Sequence, residues 1–296
     1  CAKRPWFESG RLSDIVMKQY LTTNAARRQG DNQTLAALAG TKLNSKHTSP
    51  CLPGALSHCR RMRILIAPDK YKGSLSATTV AQTIAAAFRE HSPAFELDLC
   101  PIADGGEGTA EAIITAKNGS WVECHTLDAR NRPVTAKYGQ VEGEAIMEMS
   151  SASGLAIVSD LPLDPANAST HGTGLMMLDA IQRGATRLII GIGGSATNDA
   201  GTGMARSLGF RFLDENGHEL QTLPRDLDKL HRIEKPAVGA FARMRKDGLV
   251  LANEPTEILV ACDVTNPLLG PEGCTRVYGP QKGVKDFAYF ESRLER

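Results

Sequence analysis

The order of elements in this sequence predicts an α/β fold containing a parallel sheet. Three observations carry that expectation. Strand-like and helix-like segments alternate as β-α-β-α between residues 63 and 117. Two short apolar runs, 187–192 and 257–262, have strand character and strand length. Between these two regions, Pro133 to Met149 holds strand-like pieces with turn signals at Gly139 and Gly143, the punctuation of antiparallel hairpins.

Each element has a local reason. Arg63-Ile64-Leu65-Ile66-Ala67 predicts a buried strand. A helix follows from Ser76, with Thr79, Val80, Ile84 and Phe88 at helical spacing and His91-Ser92-Pro93 ending it. Glu96 to Cys100 alternates as a second strand. The loop Asp104-Gly105-Gly106-Glu107-Gly108 leads into a helix to about Lys117, stopped by Asn118-Gly119. Another helix is expected around Gly174 to Arg183, then the most apolar strand, Arg187 to Ile192. A short helix from about Gly203 to Leu208 and a strand from Glu257 to Cys262 follow. Glu291 to Arg296 reads as the start of a helix with no C-cap glycine.

Composition bounds the function. At 296 residues, 42% hydrophobic and 23% charged, the chain can bury the core of one or two domains. A net charge of +1 argues against a dedicated nucleic-acid binder, which carries basic excess. No apolar run approaches the roughly 18 residues that a membrane helix needs. The near-zero charge hides a split. Residues 1–61 hold ten Lys/Arg against three Asp/Glu, while residues 62–296 hold 24 against 30. The break marks a boundary near Met62. Residues 1–61 are expected to be a disordered extension, either translated upstream sequence or a basic, acid-poor transit peptide. Seven cysteines without a Cys-x-x-Cys pair suggest neither a disulfide framework nor a zinc site, and fit a reduced, cytoplasmic setting.

Candidate chemistry clusters after the strands, where open α/β sheets bind ligands. Asp69, Lys70 and Lys72 follow the first strand, and Asp104 and Glu107 the second. Gly193, Gly194, Ser195, Asn198 and Asp199 follow the apolar strand at 187–192; Asp263 and Asn266 follow the strand at 257–262. Glycines let main-chain N–H groups approach an anion. Carboxylates so placed suit Mg2+, which takes hard oxygen ligands. His171 stands open between an acid/base role and a loop histidine without one. No Gly-Lys-Ser/Thr closes a Walker loop. Gly191-x-Gly193-x-x-Ala196 does match a dinucleotide fingerprint, with Asp214 at a suitable distance, so a dinucleotide-binding oxidoreductase is an alternative. Against it, a helix beginning near Gly194 would have to contain Gly201 and Gly203.

Five segments in order resemble the bacterial glycerate kinase family. They are Ala67-Pro68-Asp69-Lys70-Tyr71-Lys72-Gly73-Ser74-Leu75-Ser76, Pro101-Ile102-Ala103-Asp104-Gly105-Gly106-Glu107-Gly108-Thr109, Ile190 to Asp199, Ala261 to Leu268, and Tyr278-Gly279-Pro280-Gln281-Lys282-Gly283. The resemblance implies ATP-dependent phosphorylation of D-glycerate with Mg2+. It also implies two α/β domains, one flavodoxin-like and one with a mixed sheet, here assigned to 62–120 and 121–296. Within it, Asp104, Glu107 and Asp199 are the expected catalytic residues and Asp69, Lys72 and Asn266 the substrate-binding ones. Gly193, Gly194, Ser195 and Asn198 would hold nucleotide, and Asp104 and Asp263 the metal. Ala200 stands where the family usually has glycine, and Leu175-Met176 where a glutamate usually opens the helix. Family members also continue past the position of Arg296. An inactive fragment of a kinase is therefore a further alternative.

Overall fold

The computed structural model describes residues 9–10, 62–71, 74–103, 105–236, 242–245, 248–251 and 256–296. Lys72, Asp104 and residues 1–8 and 11–61 of the expected extension lie outside them. The described residues fall into two compact units, one of residues 62–102 and the other of 103–296 with 9–10. A two-residue strand, β1 (Ser9–Gly10), belongs to the larger unit.

In the smaller unit, β2 (Arg63–Ile66) and β3 (Glu96–Leu99) pair in parallel, joined by α1 (Ala77–His91). Ser76 caps α1 by accepting from Thr79 N–H at 3.2 Å. Ala81 and Ala85 of α1 bury against Ile66, with Phe88, Leu97 and Leu99 around them. The small alanines let the helix lie close to the strand pair.

The larger unit opens with α2 (Thr109–Lys117) and the strands β4 (Ser120–Leu127), β5 (Pro133–Val141) and β6 (Glu144–Glu148). Then come α3 (Ser150–Ser153), α4 (His171–Gln182), β7 (Arg187–Gly191) and α5 (Thr202–Ser207). Two small antiparallel pairs follow, β8 (Arg211–Leu213) with β9 (Arg232–Glu234) and β10 (Ala242–Arg245) with β11 (Gly248–Leu251). The chain ends with β12 (Glu257–Ala261), α6 (Cys274–Tyr278) and α7 (Phe287–Glu295). The main sheet runs β1-β12-β7-β6-β5-β4. It is parallel from β1 to β6 and antiparallel from β6 to β4. A mixed sheet therefore joins the apolar strands to the hairpins, as the sequence predicts.

The core lies under α4, where Met176, Met177 and Ala180 meet Tyr138, Met147, Leu188 and Ile190. Helix α2, grouped with the first domain by the sequence reading, packs here on β5. Gly139 makes room for it, since a Cβ there would sit 2.1 Å from Ile114 Cγ1. Two boundaries differ from expectation. Helix α4 begins at His171 rather than near Gly174. Helix α7 begins at Phe287, where Asp286 Oδ1 accepts from Tyr289 N–H at 3.0 Å, so Glu291 to Glu295 continue this helix rather than start one.

Register decides where the site forms. Glu148 of β6 pairs with Gly191 of β7, and Gly191 with Ala261 of β12. Three parallel strands thus end level, and their following loops leave from one edge.

Candidate active site

At that edge four segments meet. Loop 105–108 precedes α2, and its Gly105 and Gly106 lie directly on the strand ends. A Cβ at Gly105 would fall 2.7 Å from Ala261 O, and one at Gly191 would fall 2.5 Å from Gly105 O. Gly193 N–H donates to Gly105 O at 3.3 Å, and a Cβ at Gly193 would sit 2.7 Å from Gly106 Cα. Main chain therefore touches main chain, which only glycine permits. Thr109 Oγ1 donates to Gly106 O, and Ala110 N–H donates to Glu148 Oε1 at 2.8 Å. Glu148, not singled out from sequence, thus ties the end of β6 to the start of α2.

The loop 191–199 is held from its other side by the end of α3 and the residues just after it. Leu155 N–H donates to Gly194 O and Ala196 N–H to Ser153 O. Among the described residues, the N–H groups of Gly194 and Ser195 have no such partner. Gly194 is exposed, with φ +72°. Asn198 is buried; its Nδ2 donates to Thr275 Oγ1 at 3.1 Å while its Oδ1 lacks any hydrogen-bond partner. Lys282, half-buried, donates from Nζ to Ser195 Oγ at 3.0 Å and to Thr197 O at 2.6 Å. Burial lowers its pKa, opposed in part by Cys274 and Asp199.

Asp199 is the anchor of this loop. Its Oδ2 accepts from Thr170 N–H and Thr170 Oγ1, both at 2.8 Å, and from Gly203 N–H at 3.3 Å. Its Oδ1 accepts from Gly201 N–H at 3.1 Å. The carboxylate is buried and joins the start of α4 to the start of α5. Helix α5 begins only at Thr202, eight residues after Gly194. The dinucleotide fingerprint needs its helix at the glycines, so the structure gives the oxidoreductase alternative no support.

The other expected residues are more dispersed. Glu107 and Asp263 are exposed on the loops after Gly106 and after β12. Asn266 is used within its own loop: Nδ2 donates to Glu272 O at 2.9 Å and Oδ1 accepts from Tyr278 OH at 2.6 Å. Asp69 is exposed in the smaller unit, where its Oδ1 accepts from Lys70 N–H at 2.6 Å. His171 opens α4, and its Nδ1 lies 2.7 Å from Ser207 Oγ; burial lowers its pKa. Sequence reasoning named neither Lys282 nor Thr275 as site residues. The Gly-Pro-Gln-Lys-Gly motif was the available signal for Lys282, but its contact with residue 195 spans 87 positions.

Ala200 has φ +47°, in the left-handed region that favours glycine. Ala200→Gly is expected to stabilise the protein by about 1 kcal/mol, since relief of the left-handed strain outweighs glycine's extra chain entropy. Chemical denaturation would register this as a higher midpoint with unchanged slope.

Known proteins match this architecture. The model of the glycerate kinase family matches residues 64–296, nearly all of the chain beyond its basic segment. The chain belongs to the glycerate kinase family. It is 43% identical to glycerate 2-kinase of Escherichia coli (strain K12) over 228 residues, which is 76% of this chain and 57% of that protein. It is 42% identical to glycerate kinase of Bacillus subtilis (strain 168) over 225 residues, covering 75% of this chain and 56% of that one. A crystal structure described as glycerate kinase 2 from Salmonella typhimurium LT2 matches with a TM-score of 0.68 and 39% identity, over 79% of this chain and 61% of that one. The chain thus spans a little over half the length of these glycerate kinase relatives.

Proposed function

We propose that this chain carries the phosphoryl-transfer site of a glycerate kinase, which moves the γ-phosphoryl of ATP to a hydroxyl of D-glycerate in the cytoplasm. The observation that carries this reading is the meeting of loops 105–108 and 191–199 on one sheet edge, with main-chain N–H groups of Gly194 and Ser195 left to an outside acceptor. Phosphoryl transfer asks a protein mainly for positioning and charge neutralisation. N–H groups on a glycine loop supply both without side chains.

Gly193, Gly194, Ser195 and Asn198 would face the nucleotide phosphates. Glu107, on the facing loop, and Asp104, three residues earlier in the sequence, would orient the attacking hydroxyl. Asn266 would engage the glycerate. Asp199 would serve catalysis by holding its loop, since its carboxylate is taken up by four donors. Among the described residues no group of three or more His, Cys, Asp or Glu side chains could cage a metal. Mg2+ usually takes one or two carboxylates together with substrate phosphates. Asp104 and Asp263 would hold it, and bound Mg2+ would neutralise charge on the phosphates.

The test is coupled ADP release with D-glycerate. Asp104→Asn is expected to lower turnover at least ~100-fold with the fold intact, as loss of one positioned catalytic group does. Normal kinetics in both Asp104→Asn and Glu107→Gln would remove these residues from the site. Absence of glycerate-dependent ADP release from the unaltered chain would remove the reading itself.

A further inference from the structure

Lys282 is a half-buried cation. Its side chain forms no ion pair among the described residues, and both of its hydrogen bonds go to neutral oxygens, Ser195 Oγ and Thr197 O. An ammonium carries three N–H donors, so one is left unused. Withdrawing a charge from water without pairing it is costly, and proteins retain such groups where a partner arrives. The unused donor belongs to a group fixed on residue 195, whose main-chain N–H is itself unpartnered, as is that of Gly194. Two main-chain donors on this loop and one on Lys282 thus have no acceptor among the described residues. The loop is backed on both sides: Leu155 N–H donates to Gly194 O, Ala196 N–H donates to Ser153 O of α3, and Asp199 pins its far end.

We propose that Lys282 Nζ, with the Gly194 and Ser195 N–H groups, forms an oxyanion site that takes a phosphoryl oxygen of a nucleotide polyphosphate. The inference rests on the kinase reading for the identity of the anion. The same donors would also accept a carboxylate, so the two sources need separate probes. The Ser195 and Thr197 contacts hold the ammonium on the loop and leave it little freedom to lose on binding. The charge also opposes the build-up of negative charge when polyphosphate enters a partly desolvated place.

Calorimetry with two probes, inorganic tripolyphosphate and D-glycerate, tests this on the full chain. Lys282→Gln and Lys282→Met are both made, so that one folded variant suffices; thermal melting within a few degrees of the parent shows the fold. Tripolyphosphate affinity is expected to fall at least ~10-fold in either variant and to recover largely in Lys282→Arg, because charge-assisted contacts are the strong ones. Unchanged D-glycerate affinity in the same variants would assign the anion to the nucleotide. Loss of D-glycerate binding alone would keep the oxyanion site but overturn its assignment to polyphosphate. Unaltered affinity for both probes in a folded variant would overturn the site, and so would absence of tripolyphosphate binding by the parent chain. These outcomes separate from the kinase reading. Glycerate-dependent ADP release that survives in Lys282→Gln would leave that reading standing without this site. Lysine-dependent tripolyphosphate binding without such release would leave the site standing without that reading.

Discussion

Asp199→Asn is expected to lower stability by about 3 kcal/mol and to soften the whole 191–203 segment. The carboxylate accepts four hydrogen bonds at 2.8 to 3.3 Å, three of them from buried groups. An amide offers one oxygen and one NH2 group. In either orientation the NH2 faces an N–H donor, and at least one donor that is buried or half-buried loses its acceptor. Hydrogen bonds to a charged acceptor are worth roughly 1.5–3 kcal/mol each, and an unpaired buried donor carries a further penalty. Thermal melting of Asp199→Asn should drop by roughly 6–12 °C, from about 2–4 °C per kcal/mol for a unit of this size. Turnover would fall as a consequence. A variant that melts like the parent yet has lost its chemistry would instead make Asp199 a group that touches substrate.

Gly191→Ala is expected to damage catalysis far more than a single methyl normally does. The new Cβ would lie 2.5 Å from Gly105 O, and Gly105 in turn sits against Ala261 O. Loop 105–108 would have to move away from β7 by the better part of an ångström, carrying Glu107 with it. Displacement of about 1 Å can cost on the order of 100-fold in rate. Overpacking of this kind also costs about 1–3 kcal/mol of stability. Ile190→Val, one residue earlier and equally buried, serves as the control. It should cost about 0.5–1.5 kcal/mol and leave turnover unaltered. Normal turnover in Gly191→Ala would mean that the two loops do not work as one site.

Much of the fold was legible because its causes are local. The helix of 77–91 follows from the Ser76 cap and its apolar spacing, and the helix of 109–117 stops at Asn118, whose φ of +52° is the left-handed turn its neighbour Gly119 advertised. The late start of the helix at Thr202 was legible too, because glycines at 201 and 203 would weaken a longer one. Ala200 is a sharper case. The resemblance to the family marked a missing glycine, and the backbone there has φ +47°.

What a chain determines by itself is set by neighbours within a few residues: periodicity, caps, turns and the positions where glycine is needed. Those features in this sequence were enough for an α/β fold with parallel strands and hairpins, and for the loops that carry polar and acidic groups after the strands. The tertiary structure alone decided which of those loops meet. Register sets Glu148, Gly191 and Ala261 level, and that alignment brings residues 105, 191 and 261 into main-chain contact. It also turned Asp199 inward as an anchor and brought Lys282 onto Ser195. The physical reason is that hydrogen bonds and close packing across 87 residues depend on the path of the whole chain, and no local pattern encodes that path.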